Sequence, residues 1–212
     1  MPNVLVLSFE GFSFSSRQLY EHLSPKLLSR AAVHESLTPE DALNWIGSGW
    51  PNMILVSDPI ITTEGYTDLV DALIDFTNHG CTTVLMGLFA AAVEPQNLDV
   101  FFRAFGLKWR AGHAAQREAK LISADKNMIR CHSLAQTFYA EALFLTGVAH
   151  EQLIYHAFDP NTTANAYAAF GRVGLGKLGY VGDTGFGEES ERLILAMCHL
   201  DRPEDSLEGQ EG

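Results

Sequence analysis

The side chains in this sequence with the most chemical potential sit just after apolar runs. Glu10 follows N-V-L-V-L-S-F (Asn3–Phe9), and Ser57 and Asp58 follow M-I-L-V (Met53–Val56). An apolar, β-branched run that stops at a polar residue reads as a buried strand ending at a sheet edge, and open α/β sheets bind ligands beyond the carboxyl ends of their strands. Glu10 there has the chemistry of a general base if burial raises its pKa. Its plainer reading is a loop carboxylate that caps a helix or is solvated. A third run, C-T-T-V-L-M (Cys81–Met86), meets Gly87 and passes into Leu88, Phe89 and three alanines. A strand–turn–helix of this kind lifts a Ser or Cys nucleophile in many α/β enzymes. Leu88 and Phe89 neither attack a carbonyl nor accept a proton, so no covalent chemistry is expected at this turn.

A second set of candidates lies in the stretch W-R-A-G-H-A-A-Q-R (Trp109–Arg117). Read as a glycine-containing loop, it offers an indole, the His113 imidazole and the Arg117 guanidinium to an anionic or planar ligand. Trp109 as core and His113 as an ordinary surface histidine are the plainer readings. The eight histidines form no H-x-H or H-E-x-x-H pair and the three cysteines no C-x-x-C pair, so neither a metal nor a redox site is expected. The glycines of G-L-G (Gly174–Gly176) and G-D-T-G (Gly182–Gly185) suit a hairpin turn and a strand-to-helix loop, and they lack the phosphate-loop pattern.

These residues have to be positioned by the elements around them. Asn3–Phe9, Met53–Ser57 and Thr82–Met86 read as buried strands, and Ala32–Ser36 as a shorter one. Thr38-Pro39-Glu40-Asp41 has the form of a helix start, with Thr38 as cap and Pro39 at the first helical position. Tyr66, Leu69, Val70, Leu73 and Ile74 recur at helical spacing and predict a helix ending before Gly80. Gln96–Phe105 reads as a helix carrying Phe101, Phe102 and Phe105. Glu118–Ile122 and Ala140–Leu145 read as strands, Tyr167–Val173 and Lys177–Val181 as a hairpin, and Leu193–Leu200 as a final helix. Strands alternating with helices predict a three-layer α/β/α, doubly wound, mainly parallel, flavodoxin-like sheet with a C-terminal β-hairpin and helix.

At 212 residues, with 47% hydrophobic and 19% charged residues, the chain has the composition of one globular domain, expected over 1–200. The last residues, 201–212, are acidic and are expected to form a disordered tail. A formal charge of −12 without a basic cluster argues against nucleic acid and anionic membranes as partners. No leader peptide or membrane-length apolar run is present, so a cytoplasmic protein is expected.

The α/β start, the stretch G-L-K-W-R-A-G-H-A-A-Q-R (Gly106–Arg117) and the ending G-K-L-G-Y-V-G-D-T-G-F-G-E-E-S-E-R-L-I-L-A-M-C (Gly176–Cys198) together resemble the class I glutamine amidotransferase-like superfamily, nearest its ThuA-like members. Working amidotransferases of that superfamily carry a nucleophilic Cys in a G-x-C-x-G elbow. The resemblance puts Phe89 at that place, and Glu10 where cysteine-dependent relatives keep an acid beside the thiol. It therefore implies the fold without glutamine hydrolysis. The resulting expectation is a small-molecule or subunit-binding protein, with a ligand site from Asp58, Phe89, Trp109 and Arg117 and no cofactor. The alternative is an isomerase, dehydratase or cyclase using Glu10 and His113 for acid–base chemistry. A homodimer is expected because three phenylalanines on one helix would leave one facing outward.

Overall fold

The computed structural model describes residues 1–9, 20, 22–122, 128–157 and 165–206. The chain begins with β1 (Asn3–Leu7), α1 (Leu23–Arg30), β2 (Ala32–Ser36), α2 (Pro39–Gly47), β3 (Met53–Val56), α3 (Thr67–Asn78) and β4 (Thr82–Leu85). The helix start at Thr38 forms as the sequence predicts: the Thr38 hydroxyl accepts from Asp41 N at 3.2 Å, with Pro39 in the first turn. β1, β3 and β4 alternate their side chains between two cores because a strand has a period of two. Val4, Val6, Leu55 and Val84 face α1 and the last helix, α6 (Glu188–Met197). Leu5, Leu7, Ile54 and Leu85 face α2, α3 and α5 (Pro95–Ala104). A short helix, α4 (Leu88–Ala92), bridges β4 to α5.

The second half overturns the expectation of a mainly parallel, flavodoxin-like sheet. β5 (Arg110–Leu121), β6 (Thr137–Thr146), β7 (Leu153–Ala157), β8 (Asn165–Val173) and β9 (Gly176–Val181) complete a nine-stranded sheet of order β2-β1-β3-β4-β9-β8-β6-β5-β7. Only the pairs among β1 to β4 and the pair β4–β9 are parallel. The other pairings are antiparallel and outnumber them, and β7 also pairs with β8, so β8, β6, β5 and β7 close on themselves. Closure removes the edges that an open antiparallel arm of this length would expose.

Two sequence features conceal the start of this arm. The stretch expected as a loop around His113 is the start of β5, where Gly112 and His113 together face the single residue Phe144 in a β-bulge. A Cβ at Gly112 would lie 2.7 Å from the Phe144 carbonyl oxygen, so the close approach of the two strands requires glycine. The bulge breaks the period-two pattern, and the alanines of β5 carry little strand signal. The hairpin of β8 and β9 does form, turning at Gly174. Phe101, Phe102 and Phe105 are all buried, in a core shared with Phe89, Trp109 and Tyr180, so the outward phenylalanine expected to drive dimerisation is absent. Of the stretch expected as a tail, Pro203–Ser206 form a 3-10 turn, and residues 207–212 lie outside the described residues.

Candidate functional site

The carboxyl ends of β1, β3, β4 and β9 share one edge of the sheet, and their polar residues meet there. After β1 and β3, Ser57 Oγ donates to the Leu7 carbonyl at 3.0 Å and lies 2.8 Å from Ser8 Oγ. Asp58 is buried, with Oδ2 accepting from Phe9 N and Oδ1 from Ile60 N, both at 3.0 Å. It thereby locks the end of β1 to the 3-10 turn Pro59–Thr62. Glu10, three residues beyond the end of β1, lies outside the described residues.

Beyond β4, Met86 leads to Gly87, which has φ +69° and ψ −131° and stands as the N-cap of α4. A Cβ here would lie 3.3 Å from Ser57 Cβ. The sharp strand-to-helix turn of an elbow therefore centres on Gly87, two residues before the position the sequence pattern assigned. Phe89 is fully buried against Phe101, with ring centroids 6.0 Å apart, and forms the floor beneath the turn. Burial pushes the thiols of Cys81 and Cys198 up to about 12 and raises that of Cys131.

Because β9 runs parallel to β4, its end delivers Asp183 beside the Gly87 turn. Asp183 is buried and accepts from Gly185 N and Gly187 N, both at 3.1 Å. Ser190 hydrogen-bonds to its carboxyl and lies 2.7 Å from the Tyr167 hydroxyl. Burial raises the Asp183 pKa against the lowering effect of these donors. Tyr20 Oη is buried, and its polar neighbours among the described residues are Asp183, Glu191 and the Gly87 backbone. Burial first, and the Asp183 charge second, hold this phenol well above its ordinary range. Glu191 Oε1 accepts from His22 N at 3.1 Å, whereas Oε2 is buried with no hydrogen-bond partner among the described residues. Its pKa is also raised by burial. The edge thus gathers two carboxyls with enhanced proton affinity and two neutral phenols. The sequence held a signal for Asp183, an acid directly after a buried strand. That signal is masked because β9 reads as half of a hairpin and not as the parallel neighbour of β4.

Beside Asp58 the same edge opens into a groove between the Pro59–Thr63 segment and α4–α5. It comprises two cavities of about 360 and 210 Å³ that share Thr62, Thr63 and Asn97. Asp58 lines one end, and the sequence did not single out the other three. The remaining expected site residues lie apart from it. Trp109 is buried and donates from Nε1 to Gln152 Oε1 at 2.8 Å. Arg117 lies on β5 with its guanidinium 5.9 Å from the Phe144 ring centroid. His113 sits exposed on the β5 bulge. Among the described residues no group of three His, Cys, Asp or Glu is arranged to hold a metal ion, and no helix is long and apolar enough to cross a membrane.

The fold is similar to that of solved ThuA-like and glutamine amidotransferase structures. A ThuA-like protein from Bacteroides uniformis superposes with a TM-score of 0.58 at 10% identity, over 94% of this chain and 91% of that one. A glutamine amidotransferase from Thermotoga maritima superposes with a TM-score of 0.51 at 10% identity, over 98% and 94%. A β-galactosidase from Bacillus circulans sp. alkalophilus does so with a TM-score of 0.55 at 14% identity, over 93% of this chain but only 31% of the longer one. No family model matches the sequence, and no curated protein does. At these identities the likeness is one of fold.

Proposed function

We propose that this protein binds a small molecule at the carboxyl edge of its sheet, in the groove beside Asp58, and does not form a covalent intermediate there. The observation that carries the reading is Gly87: the residue at the strained turn has no side chain, and the Ser57 side chain fills the space beside it. Asp58, spent on two backbone amides, serves the site by fixing the groove wall. Purified protein incubated with glutamine is expected to release no ammonia, and ammonia release at enzymatic rates would sink the proposal. A metabolite library followed by thermal shift is expected to yield compounds that raise the melting temperature, since a ligand of the folded state stabilises it by mass action. A library without one such compound would end the ligand reading.

A second reading, acid–base catalysis by an isomerase, dehydratase or cyclase, is favoured by the raised pKa values of Asp183 and Glu191 beside the neutral Tyr20 phenol. A carboxyl whose pKa is raised keeps its proton to higher pH than a free one and is suited to protonating a leaving or enolic oxygen. Of the pair first expected, His113 lies on the outward bulge, and Glu10 lies outside the described residues. Incubating a compound from the thermal-shift screen with wild type and Asp183→Asn distinguishes the readings. Conversion by wild type that is lost in the variant supports catalysis, and an unchanged compound recovered from both supports binding alone.

A further inference from the structure

The groove beside Asp58 has an apolar strip and an acidic rim. Ile61 and Phe101 form its buried floor, and Val70 and Val100 its sides, with Val100 60% exposed. Glu64 and Asp71 stand on one cavity and Glu94 on the other, all exposed. None of these three carboxylates makes an ion pair among the described residues. Neither cavity is lined by a Lys, Arg or His.

We infer that the occupant is an aliphatic diamine or polyamine, its methylene chain along Val70 and Val100 and its ammonium groups toward Glu64 and Asp71 at one end and Glu94 at the other. The inference rests on the ligand-site reading above. A phosphate or carboxylate ligand would meet like charge with no cation to answer it. A sugar-like polyol would leave the valines facing hydroxyls. A methylene chain covers them, at about 0.8 kcal/mol for each CH₂ removed from water. The carbonyl of the Asn97 side chain and the hydroxyls of Thr62 and Thr63 are acceptors for N–H groups along the shared part of the groove. The net charge of −12 draws cations toward the whole molecule.

Calorimetry and amide NMR on the full chain, with 1,4-diaminobutane and 1,8-diaminooctane as probes and butylamine and 1,8-octanediol as controls, test this. The longer diamine is expected to bind about tenfold or more tightly than butylamine, shifting the Thr62, Thr63 and Asn97 amides. Asp71→Asn and Glu94→Gln are each expected to weaken it about two- to fivefold, the scale of an exposed ion pair. Both residues are exposed, so the variants are expected to fold, as wild-type-like melting would show. Val100→Ser is expected to weaken the eight-carbon probe more than the four-carbon one. Diamine binding that leaves those amides unshifted, or that both charge variants leave unchanged, overturns the inference. If octanediol shifts the amides and the diamines do not, the polyamine class falls while the ligand site stands. If no probe shifts them at millimolar concentration, the polyamine inference falls and the metabolite screen alone judges the site.

Discussion

At the scale of single residues, two positions make the edge what it is. Gly87 holds a backbone conformation that other residues reach only under strain, and its missing side chain is replaced by the neighbouring Ser57. Gly87→Ala is expected to destabilise the fold by about 1–3 kcal/mol, the cost of forcing a Cβ into this region, read from the urea midpoint. A variant as stable as wild type would mean the turn relaxes freely. Glu191 is the second. Its pKa is raised in the folded chain chiefly by burial, against the His22 amide and the charges of His22 and Lys26, while Glu188 adds to the rise. The carboxyl therefore favours the folded state when protonated. That contribution is complete below the ordinary glutamate range and is lost as pH rises through the raised value. Relative to wild type, Glu191→Gln is expected to gain stability between pH 4 and pH 7, checked by urea unfolding at both. A difference between the two proteins that does not change with pH would remove Glu191 from the account.

At the scale of elements, the parts of the fold legible in the sequence are those whose periodicity was undisturbed. Val4 to Leu7 and Ile54 to Val56 read as strands buried on both faces because they are. In the antiparallel arm, Glu118–Ile122 and Ala140–Leu145 read as strands and fall largely within β5 and β6, whereas the start of β5 is masked by its bulge and its alanines. The site suffered from the same gap. Knowing that β9 lies beside β4 requires a pairing between residues 82–85 and 177–180, which no local pattern encodes. The C-terminal turn is a further long-range tie. Asp205 is buried and takes Arg30 Nη1 at 2.6 Å and Nη2 at 2.8 Å, with Lys26 Nζ 3.5 Å away. Hydrogen bonds and charge from Arg30 hold the carboxyl below its usual range despite the opposing cost of burial. The stability it contributes is thus present above the ordinary aspartate range and is lost as pH falls through the depressed value. Asp205→Ala removes the carboxylate that answers the buried Arg30 guanidinium and is expected to cost about 3–5 kcal/mol. It is also expected to admit protease near Pro203. A variant with unchanged midpoint and unchanged digestion would show the turn to be decoration.

At the scale of the molecule, the order β4-β9-β8 makes the two halves of the chain mutually dependent. The first 106 residues contain four parallel strands and could pass for an independent α/β unit. Yet β4 would end that unit as an open edge, and Val4, Val6, Leu55 and Val84 would lose α6, whose Leu193, Ile194 and Met197 are fully buried in the same core. An exposed apolar face and an unpaired strand together favour aggregation over folding. Loop closure between β4 and β9 must also precede the contacts that reward it, so folding is expected to be slow and cooperative across both halves. A fragment of residues 1–106 is accordingly expected to lack near-ultraviolet circular dichroism and protected amides. The full chain should unfold in one urea transition, coincident by tryptophan fluorescence, which reports Trp45, Trp50 and Trp109, and by far-ultraviolet signal. A fragment with a cooperative melt of its own, or a full chain with two separated transitions, would show that the antiparallel arm is an accessory to a self-sufficient parallel half. The ligand groove, which lies wholly within residues 58–104, would then be expected to bind its occupant without the arm.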